Sequence, residues 1–311
     1  MNTFGGARYH TLSYELKRRY NEKLYKVALN AGCTCPNRDG RLGRRGCIFC
    51  SAGGSGDFAG SPHDSIPEQL KSGKHILRQK YSGSSYIAYF QAYTNTYAPI
   101  DYLRKIYYEA VSDPEVKVLS IATRPDCLSP AVLDLLEEIN AVKPVWIELG
   151  LQSSKLSTIE LIRRGYPNAV FEKAVDNLRA RQIDVIVHVI LYLPHESKTD
   201  MINTITYLNT FDIQGIKLQL LHVLKHTDLA TLYEEEPFSL PTESAYIALV
   251  CELLCHLRPD ITVHRLTGDG PADLLIAPLF TKNKRHVLNG INRYLKENAL
   301  YQGKYLGKES F

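Results

Sequence analysis

Four cysteines lie close together near the start of the chain, and their spacing could bind a metal centre. Two residues separate Cys47 from Cys50, a gap that lets both thiolates reach one centre. Eleven residues, rich in Gly and Arg, separate Cys35 from Cys47, so this stretch can fold back and deliver a third thiolate. Cys33 lies two positions before Cys35 and is a candidate for a fourth.

Two kinds of metal chemistry fit these thiols. Four cysteines could close a tetrahedral zinc site, which would be structural. Three could hold a [4Fe–4S] cluster and leave one iron open to a ligand. Spacing alone leaves both possibilities open. The position of the loop after the first predicted strand favours the cluster, because sites in parallel α/β folds lie at the carboxyl ends of strands.

The elements that position this loop alternate between strands and helices. Nearly continuous apolar runs predict strands that are covered on both faces; these are Tyr25–Asn30, Tyr86–Gln91, Val116–Ala122, Val145–Leu149, Asp184–Tyr192 and Gly215–His222. Amphipathic patterns predict helices between them, at Ile66–Tyr81, Asp101–Val111, Pro130–Asn140, Ala169–Arg181 and Lys198–Phe211. Six such units in a row predict a parallel sheet, open or closed into a barrel.

The alternation ends near residue 230. Beyond it the pattern predicts a helix, a short strand, a Gly/Asp loop and a last helix, at Thr242–Leu257, Ile261–His264, Thr267–Pro271 and Asn283–Glu297. Ser129 before Pro130, and Ser197 with Asp200, are typical helix starts.

Composition describes an ordinary globular chain of 311 residues and 35.1 kDa, 44% apolar and 23% charged. This mix excludes a disordered or low-complexity protein. We expect a soluble, cytoplasmic protein, because no apolar run reaches membrane-spanning length and residues 1–20 contain no apolar signal core. In a reducing compartment, clustered thiols bind metal more often than they form disulfides.

Charge is distributed unevenly along the chain. Residues 1–50 hold 10 Lys/Arg and 3 Asp/Glu, residues 281–311 hold 7 and 2, and the middle is acidic, although the whole chain carries only +4. Two basic ends could contact an anionic partner such as RNA, or they could be solvated helices. Candidate phosphate contacts are Arg18, Arg19, Lys282, Lys284 and Arg285.

Several motifs together resemble the radical S-adenosylmethionine (SAM) superfamily. They are Cys35-Pro-Asn-Arg-Asp-Gly, Gly46-Cys-Ile-Phe-Cys50, Ser55-Gly-Asp-Phe-Ala-Gly60, Tyr89–Thr96, Ile121–Leu128, Ile147–Ser153, Gly215–His222 and Val263–Pro271. Within the superfamily the chain is most similar to the YhcC/YtqA-type family, distant kin of the Elongator catalytic subunit, and closest to its YtqA-type subgroup. The resemblance spans about Tyr9 to Gly303.

The resemblance implies a fold, a set of cofactors and a reaction. The fold is α/β, a partial (β/α)6 TIM-like barrel with a C-terminal α+β extension. We divide the chain into an N-terminal helical segment (1–24), the barrel (25–230) and the extension on the substrate side (231–311). The cofactors are a [4Fe–4S] cluster and SAM, which is cleaved to a 5′-deoxyadenosyl radical that takes a hydrogen atom from the substrate.

The family pattern places the cluster ligands at Cys35, Cys47 and Cys50. It has a non-ligand residue at the position of Cys33, which we therefore interpret as a bystander thiol. Candidate SAM contacts follow the strands, because polar residues at strand ends face the site; they are Phe49, Gln91, Thr94, Arg124, Glu148, Gln152 and Tyr192. Tyr192 departs from the superfamily, which often has glycine there.

Alternative interpretations apply to several of these residues. Gln91 and Thr94 could merely cap a strand, and Arg124 could pair with Asp126 or Glu148 instead of the SAM carboxylate. The buried carboxylate of Glu148 needs a partner, either Arg124 or ribose hydroxyls. Candidates for the substrate side, or for ordinary packing, are Cys127, His188, His222, His264 with Arg265, and Asp269; Cys251 and Cys255 predict a core stripe.

The YtqA-type resemblance suggests a function in tRNA wobble-uridine maturation, remodelling a carboxymethylaminomethyl side chain to the aminomethyl level. Expected partners are tRNA, a flavodoxin- or ferredoxin-like electron donor and a downstream methyltransferase, and no membrane. One alternative is a radical SAM enzyme acting on a small molecule or a protein. Another is a zinc-containing RNA-binding protein without redox chemistry.

Overall fold

A computed structural model describes residues 4–54, 56–268 and 270–307. Strands and helices alternate as predicted, with β1 to β9 at Tyr25–Leu29, Tyr86–Phe90, Val116–Thr123, Val145–Gln152, Asp184–Leu191, Gly215–Leu220, Val223–Leu224, Thr262–Arg265 and Leu275–Ala277. Helices α1 to α10 lie at Leu12–Tyr20, Ile66–Arg78, Ile100–Ser112, Pro130–Val142, Leu156–Leu161, Asn168–Ala180, Lys198–Leu208, Asp228–Glu235, Glu243–His256 and Lys284–Glu297.

Seven strands form the larger sheet, in the order β1-β2-β3-β4-β5-β6-β8. Neighbours in this sheet follow one another along the chain up to β6, as expected when each strand is linked to the next by a crossover helix. The pairings of β1 with β2, β2 with β3 and β3 with β4 are parallel. The sequence predicted six strands here; the short strand of the extension, β8, joins as the seventh by pairing in parallel with β6.

The chain divides into two compact units, which we describe separately. The cysteine-loop unit contains residues 16–150 and 165–186, and the C-terminal unit contains the rest of the described chain. The predicted division at residues 24 and 230 stays a prediction. In the part of the chain that the structure describes, no helix is both long enough and apolar enough to cross a membrane.

The core of the cysteine-loop unit lies between β1–β4 and the helices α2, α3 and α4. All five residues of β2 are buried, which explains why this strand has no polar position. Ser129 begins α4 as predicted, because its hydroxyl accepts the N–H of Val132 at 3.4 Å. These helices cover the strands and leave their carboxyl ends to the loops.

The core of the C-terminal unit is built around α9, which has eight buried residues, including Cys251 and Cys255. The predicted core stripe is therefore confirmed. The capping box at the start of α7 is also confirmed: the carboxylate of Asp200 accepts the N–H of Ser197 at 2.8 Å, and the Ser197 hydroxyl accepts the N–H of Asp200.

Within the same unit, residues 8–11 are held by chain that lies far away in sequence. Thr11 forms an isolated parallel bridge with Val263. The Val263 N–H donates to the carbonyl of His10 at 2.7 Å, and the His10 N–H donates to the side chain of Gln302 at 2.7 Å. Gln302 is itself buried and donates to the carbonyls of Arg258 and Ile261.

Candidate cluster and cofactor site

The cysteine loop follows β1 and folds back on itself as predicted. The carbonyl of Cys35 accepts the N–H of Arg38 at 2.8 Å, which starts the first turn. The N–H of Gly46 donates to the carbonyl of Asn37 at 2.8 Å and closes the loop, and a last turn joins Cys50 N–H to Cys47 C=O at 3.0 Å. This backbone brings the three thiols of Cys35, Cys47 and Cys50 within electrostatic reach of one another.

Arg38 lies at the centre of this loop. Its guanidinium donates to the carbonyls of Cys50 at 2.9 Å and Ser51 at 2.7 Å. It packs against Gly46, where a Cβ would come within 3.0 Å of the Arg38 Nε and where φ is +74°. Two separate features therefore require glycine at position 46: its positive φ and the close approach of the Arg38 guanidinium.

Cys47 and Cys50 are half-buried, and cationic and amide groups lie beside their thiols. Burial raises the pKa of Cys47 to about 11, the Cys50 thiol adds to the rise, and Arg124 and the amide of Asn37 oppose it. Burial likewise raises the pKa of Cys50, against the opposing charge and hydrogen bond of Arg38. Three thiolates in this loop would repel one another and need more positive charge beside them. The iron of an iron–sulfur cluster held by three cysteines would supply that charge.

In the described ranges, no three His, Cys, Asp or Glu side chains lie close enough together to hold a single metal ion. A [4Fe–4S] cluster does not require such convergence, since each cysteine binds a different iron.

Cys33 lies in a different environment from the other three. Its side chain is buried, and burial raises the pKa of its thiol to about 11. Its electrostatic neighbours include Tyr102 and Tyr107 of α3. This placement suits the bystander interpretation, which stays a prediction.

The residues after β2 pack onto the cysteine loop. Thr94 is buried, and its N–H donates to the carbonyl of Thr34 at 3.2 Å. Tyr93 has a φ of +59°, and its hydroxyl donates to the carbonyl of Ala52. Gln91 and Phe49 are both half-buried. The structure thus brings Thr94 to the loop, while the predicted contacts with SAM stay predictions.

Arg124 pairs with Asp126, one of the two alternatives to a SAM contact. Its Nε and Nη2 donate to the two carboxylate oxygens at 2.9 and 2.8 Å, a bidentate arrangement. The guanidinium also lies 4.9 Å from the centre of the Tyr166 ring. Burial lowers the pKa of Arg124, but the bonds to Asp126 outweigh burial and the pKa is raised. Arg124 is therefore a fixed cation near Cys47.

Glu148 has partners that the sequence analysis did not name. It is buried in β4, and its carboxylate accepts from Lys26 of β1 at 3.0 Å and from Ser120 of β3 at 2.9 Å. Lys26 also lies 4.6 Å from the Tyr89 ring centre. The expected pairing with Arg124 gives way to the pair of Arg124 with Asp126, while a contact of Glu148 with ribose stays a prediction. Lys26 was not predictable as the partner, because it precedes Glu148 by 122 residues.

Two further predicted contacts belong to the C-terminal unit. Gln152 ends β4 with a φ of +67°, and its side-chain oxygen is buried with no hydrogen-bond partner among the described residues. Tyr192 follows β5 with a φ of +63°, and its ring centre lies 6.5 Å from that of Tyr246. A buried amide oxygen without a partner is costly unless a ligand completes it.

Glu196 is a residue that the sequence analysis missed. It follows β5 and accepts a hydrogen bond from Ser153. Burial raises the pKa of Glu196 to about 6, with Ser153 and Thr158 opposing the rise. A signal was available, since Pro194-His195-Glu196 is a strand end with a carboxylate.

The candidate histidines occupy two kinds of surroundings. His188 shares a hydrogen bond with Gln219 at 3.3 Å, as expected of a core histidine. His222 packs against Gly268 and Gly270, where a Cβ would come within 2.8 Å of its ring. Burial lowers the pKa of His222 to about 4, and the charge of Lys284 adds to the fall. Asp269 lies outside the described residues.

Comparisons with known proteins identify the class. The family model of the Radical SAM superfamily matches residues 37–208, and that of the Radical_SAM C-terminal domain matches residues 213–297. The chain therefore belongs to the radical SAM superfamily. Members of this superfamily use a [4Fe–4S] cluster and SAM, so the predicted family and cofactors are confirmed, and membership supports a SAM-dependent enzyme.

Two relatives that match over nearly their full length show where in the superfamily the chain belongs. The chain is 43% identical to protein YtqA of Bacillus subtilis (strain 168), over 96% of this chain and 92% of the relative. It is 36% identical to protein YhcC of Escherichia coli (strain K12), over 99% and 96%.

Solved structures confirm the fold class, a partial barrel of the radical SAM type. The Elp3 of Methanocaldococcus infernus aligns with a TM-score of 0.68 at 15% identity, covering 90% of this chain but 64% of that one. Methylornithine synthase (PylB) aligns with a TM-score of 0.55 at 11% identity, covering 96% and 88%.

Proposed function

We propose that Cys35, Cys47 and Cys50 bind the cluster and that the chain acts in wobble-uridine maturation of tRNA. The observation that supports the ligand set is the position of these thiols after β1, with Arg38, Asn37 and Arg124 around them. The similarity to YtqA and YhcC over nearly the full length of the chain supports a function in common with the YtqA-type family.

The chemistry divides between the cofactors and the protein. When bound, the cluster supplies the electron that cleaves SAM and so produces a radical able to take hydrogen from carbon. Arg38 and Arg124 hold positive charge beside the thiols of Cys50 and Cys47. Thr94 and Phe49, near the same loop, are proposed to orient SAM. The ion pair of Glu148 with Lys26 links strand β4 to strand β1, which are not neighbours in the sheet.

Exposed basic residues support an RNA substrate. Lys282, Lys284 and Arg285 are all exposed and lie around the start of α10. Cations at a helix N-terminus oppose the helix dipole at a cost of roughly 0.3–1 kcal/mol each. Phosphate groups would offset this cost. Nearby positive charge also acts on Lys284, because partial desolvation and then the charge of Arg265 lower its pKa.

The further parts of the proposal concern partners and location. The reaction needs an electron donor of the flavodoxin or ferredoxin class. A methyltransferase would act on the aminomethyl product. We propose that the protein works in the cytoplasm, where tRNA is matured.

A deletion strain tests the proposed substrate. We expect tRNA mass spectrometry to show carboxymethylaminomethyl uridine accumulating at the wobble position, with less of the aminomethyl form and its methylated product. Expression of the wild-type gene should restore the profile, and a gene encoding Cys47→Ala should not. An unchanged wobble-uridine profile in the deletion strain would refute the tRNA proposal. Salt-insensitive activity without tRNA binding would instead favour a small-molecule or protein substrate.

A further inference from the structure

Residues 38–45 form a basic loop between Cys35 and Cys47, which we name the arginine loop. It contains four arginines and one aspartate, a net charge of +3. Arg38 points inward to the carbonyls of Cys50 and Ser51, whereas Arg41, Arg44 and Arg45 are exposed. Leu42, in the middle of the loop, is 51% exposed. The loop therefore combines a strong positive charge with an exposed apolar side chain.

Backbone hydrogen bonds hold the arginine loop in one shape. The N–H of Leu42 donates to the carbonyl of Pro36 at 2.8 Å, and the N–H of Gly40 donates to the carbonyl of Gly43 at 3.1 Å. Gly40 has a φ of +98°, and the Arg44 guanidinium lies over it. A surface that is preformed in this way pays little entropy when a partner binds.

A cavity of about 540 Å³ opens beside the loop. Its lining combines Arg41 with residues that follow β2 and β3, among them Tyr97, Pro99, Asp126, Cys127 and Leu128. The guanidinium of Arg41 lies 5.6 Å from the centre of the Tyr97 ring. Asp126 brings negative charge to the wall, but Arg124 neutralises it by a bidentate pair.

The arginine loop adjoins the thiols that we assign to the cluster. Cys35 precedes the loop by three residues and Cys47 follows it by two. Arg38, the first residue of the loop, donates to the carbonyl of Cys50 at 2.9 Å. A partner seated on the loop and the adjoining cavity would therefore approach the cluster closely, which is what electron transfer between proteins requires.

We propose that the arginine loop and the adjoining cavity form the docking surface for an acidic one-electron donor protein of the flavodoxin class. This inference rests on the proposed cluster ligands and goes beyond them by naming the surface. One electron leaves the reduced flavin, which is oxidised by one electron, and enters the cluster, which is reduced by one. No bond is made or broken and no proton is transferred between the two proteins in this step.

Charge and apolar surface together favour a protein over RNA at this surface. Positive charge attracts an acidic donor and speeds its encounter at low salt. Leu42 and the cavity residues Pro99 and Leu128 offer apolar contact, which the apolar centre of a protein interface would cover.

The test compares two triple variants with equal loss of charge. One carries Arg41→Ala, Arg44→Ala and Arg45→Ala. The control carries Lys71→Ala, Lys80→Ala and Lys105→Ala, three exposed lysines in and next to α2 and α3. Both are reconstituted anaerobically with iron and sulfide. Binding of a recombinant bacterial flavodoxin is measured by calorimetry, and SAM cleavage is measured separately with flavodoxin and with dithionite.

We expect the arginine variant to bind flavodoxin roughly tenfold more weakly, and the control within about twofold of wild type. In the arginine variant, SAM cleavage driven by flavodoxin should fall by a similar factor. SAM cleavage driven by dithionite should stay near the wild-type rate, because a small reductant needs no docking surface. Equal flavodoxin binding by the two variants, or loss of tRNA binding alone in the arginine variant, would overturn the inference. If wild-type protein cleaves no SAM even with dithionite, the cluster proposal fails instead.

Discussion

Two sets of thiols in this chain differ in their exposure and in what surrounds them. Cys251 and Cys255 are fully buried in the core around α9, and burial raises their pKa values to about 12 and 11. Cys47 and Cys50 are half-buried, and Arg124 and Arg38 lie beside them, although burial raises the pKa of Cys47 to about 11 as well. A raised pKa alone therefore does not distinguish a metal ligand from a packing residue. The partial exposure of the loop thiols and the arginines beside them do.

The largest expected effect comes from removing a loop thiol. Each of Cys35→Ala, Cys47→Ala and Cys50→Ala should reduce bound iron and SAM cleavage to below about a tenth of wild type, because the cluster loses one of its three ligands. Cys33→Ala is the matched control and should keep both. Iron is measured after anaerobic reconstitution. Loss of iron in Cys33→Ala would contradict the bystander interpretation of this thiol.

A smaller effect should follow from disturbing Arg38 without removing a thiol. Gly46→Ala forces a side chain into a φ of +74° and against the Arg38 guanidinium. We expect roughly tenfold faster loss of iron to a chelator. Gly43→Ala is the control, because a Cβ there would meet its nearest atom at an ordinary 3.5 Å. Equal iron loss by the two variants would exclude a specific role of Arg38.

Substitution of a core thiol should lower the stability of the fold and leave bound iron unchanged. Cys251→Ala leaves a small void in α9 and should lower the free energy of unfolding by about 1 kcal/mol. Bound iron should stay at the wild-type level, since Cys251 contacts the backbone of Ile291, far from the loop in sequence. Urea unfolding followed by circular dichroism measures the first quantity. A stable variant that lacks iron would contradict the comparison.

The smallest expected effect is a dependence on pH. The pKa of Cys251 is about 12 when folded against an ordinary 9.0, so burying the neutral thiol stabilises the fold below about pH 9. That contribution is lost progressively as pH rises from about 9 towards 12. The cost of Cys251→Ala should therefore shrink between pH 8 and pH 10. A cost that grows with pH would contradict this account.

Much of the fold was predictable from local patterns. Apolar runs marked β1 to β6 because these strands are covered on both faces, and the serine caps marked α4 and α7. Membership of β8 in the larger sheet was not predictable, because a four-residue strand has no pattern that chooses its neighbour. The short helices α5 and α8 were missed for the same reason.

The candidate site was predictable in part. Cysteine spacing and family motifs found the loop, and the fold-back of residues 36–46 followed from its glycines. Ion pairs were harder, because they join strands that are distant in sequence. Arg124 pairs with Asp126, which lies two residues away in sequence. Glu148 pairs with Lys26, which lies on a strand that is not its neighbour in the sheet, so only the folded structure reveals this pair.

The bonds that join residues 8–11 to Val263 and Gln302 have a consequence for synthesis on the ribosome. The chain grows from its first residue, so this early segment emerges before its partners have been translated. Most of the cysteine-loop unit is one continuous stretch, 16–150, which can begin to pack while the rest is still being made. The C-terminal unit can form these bonds only after residues 263 and 302 have been made.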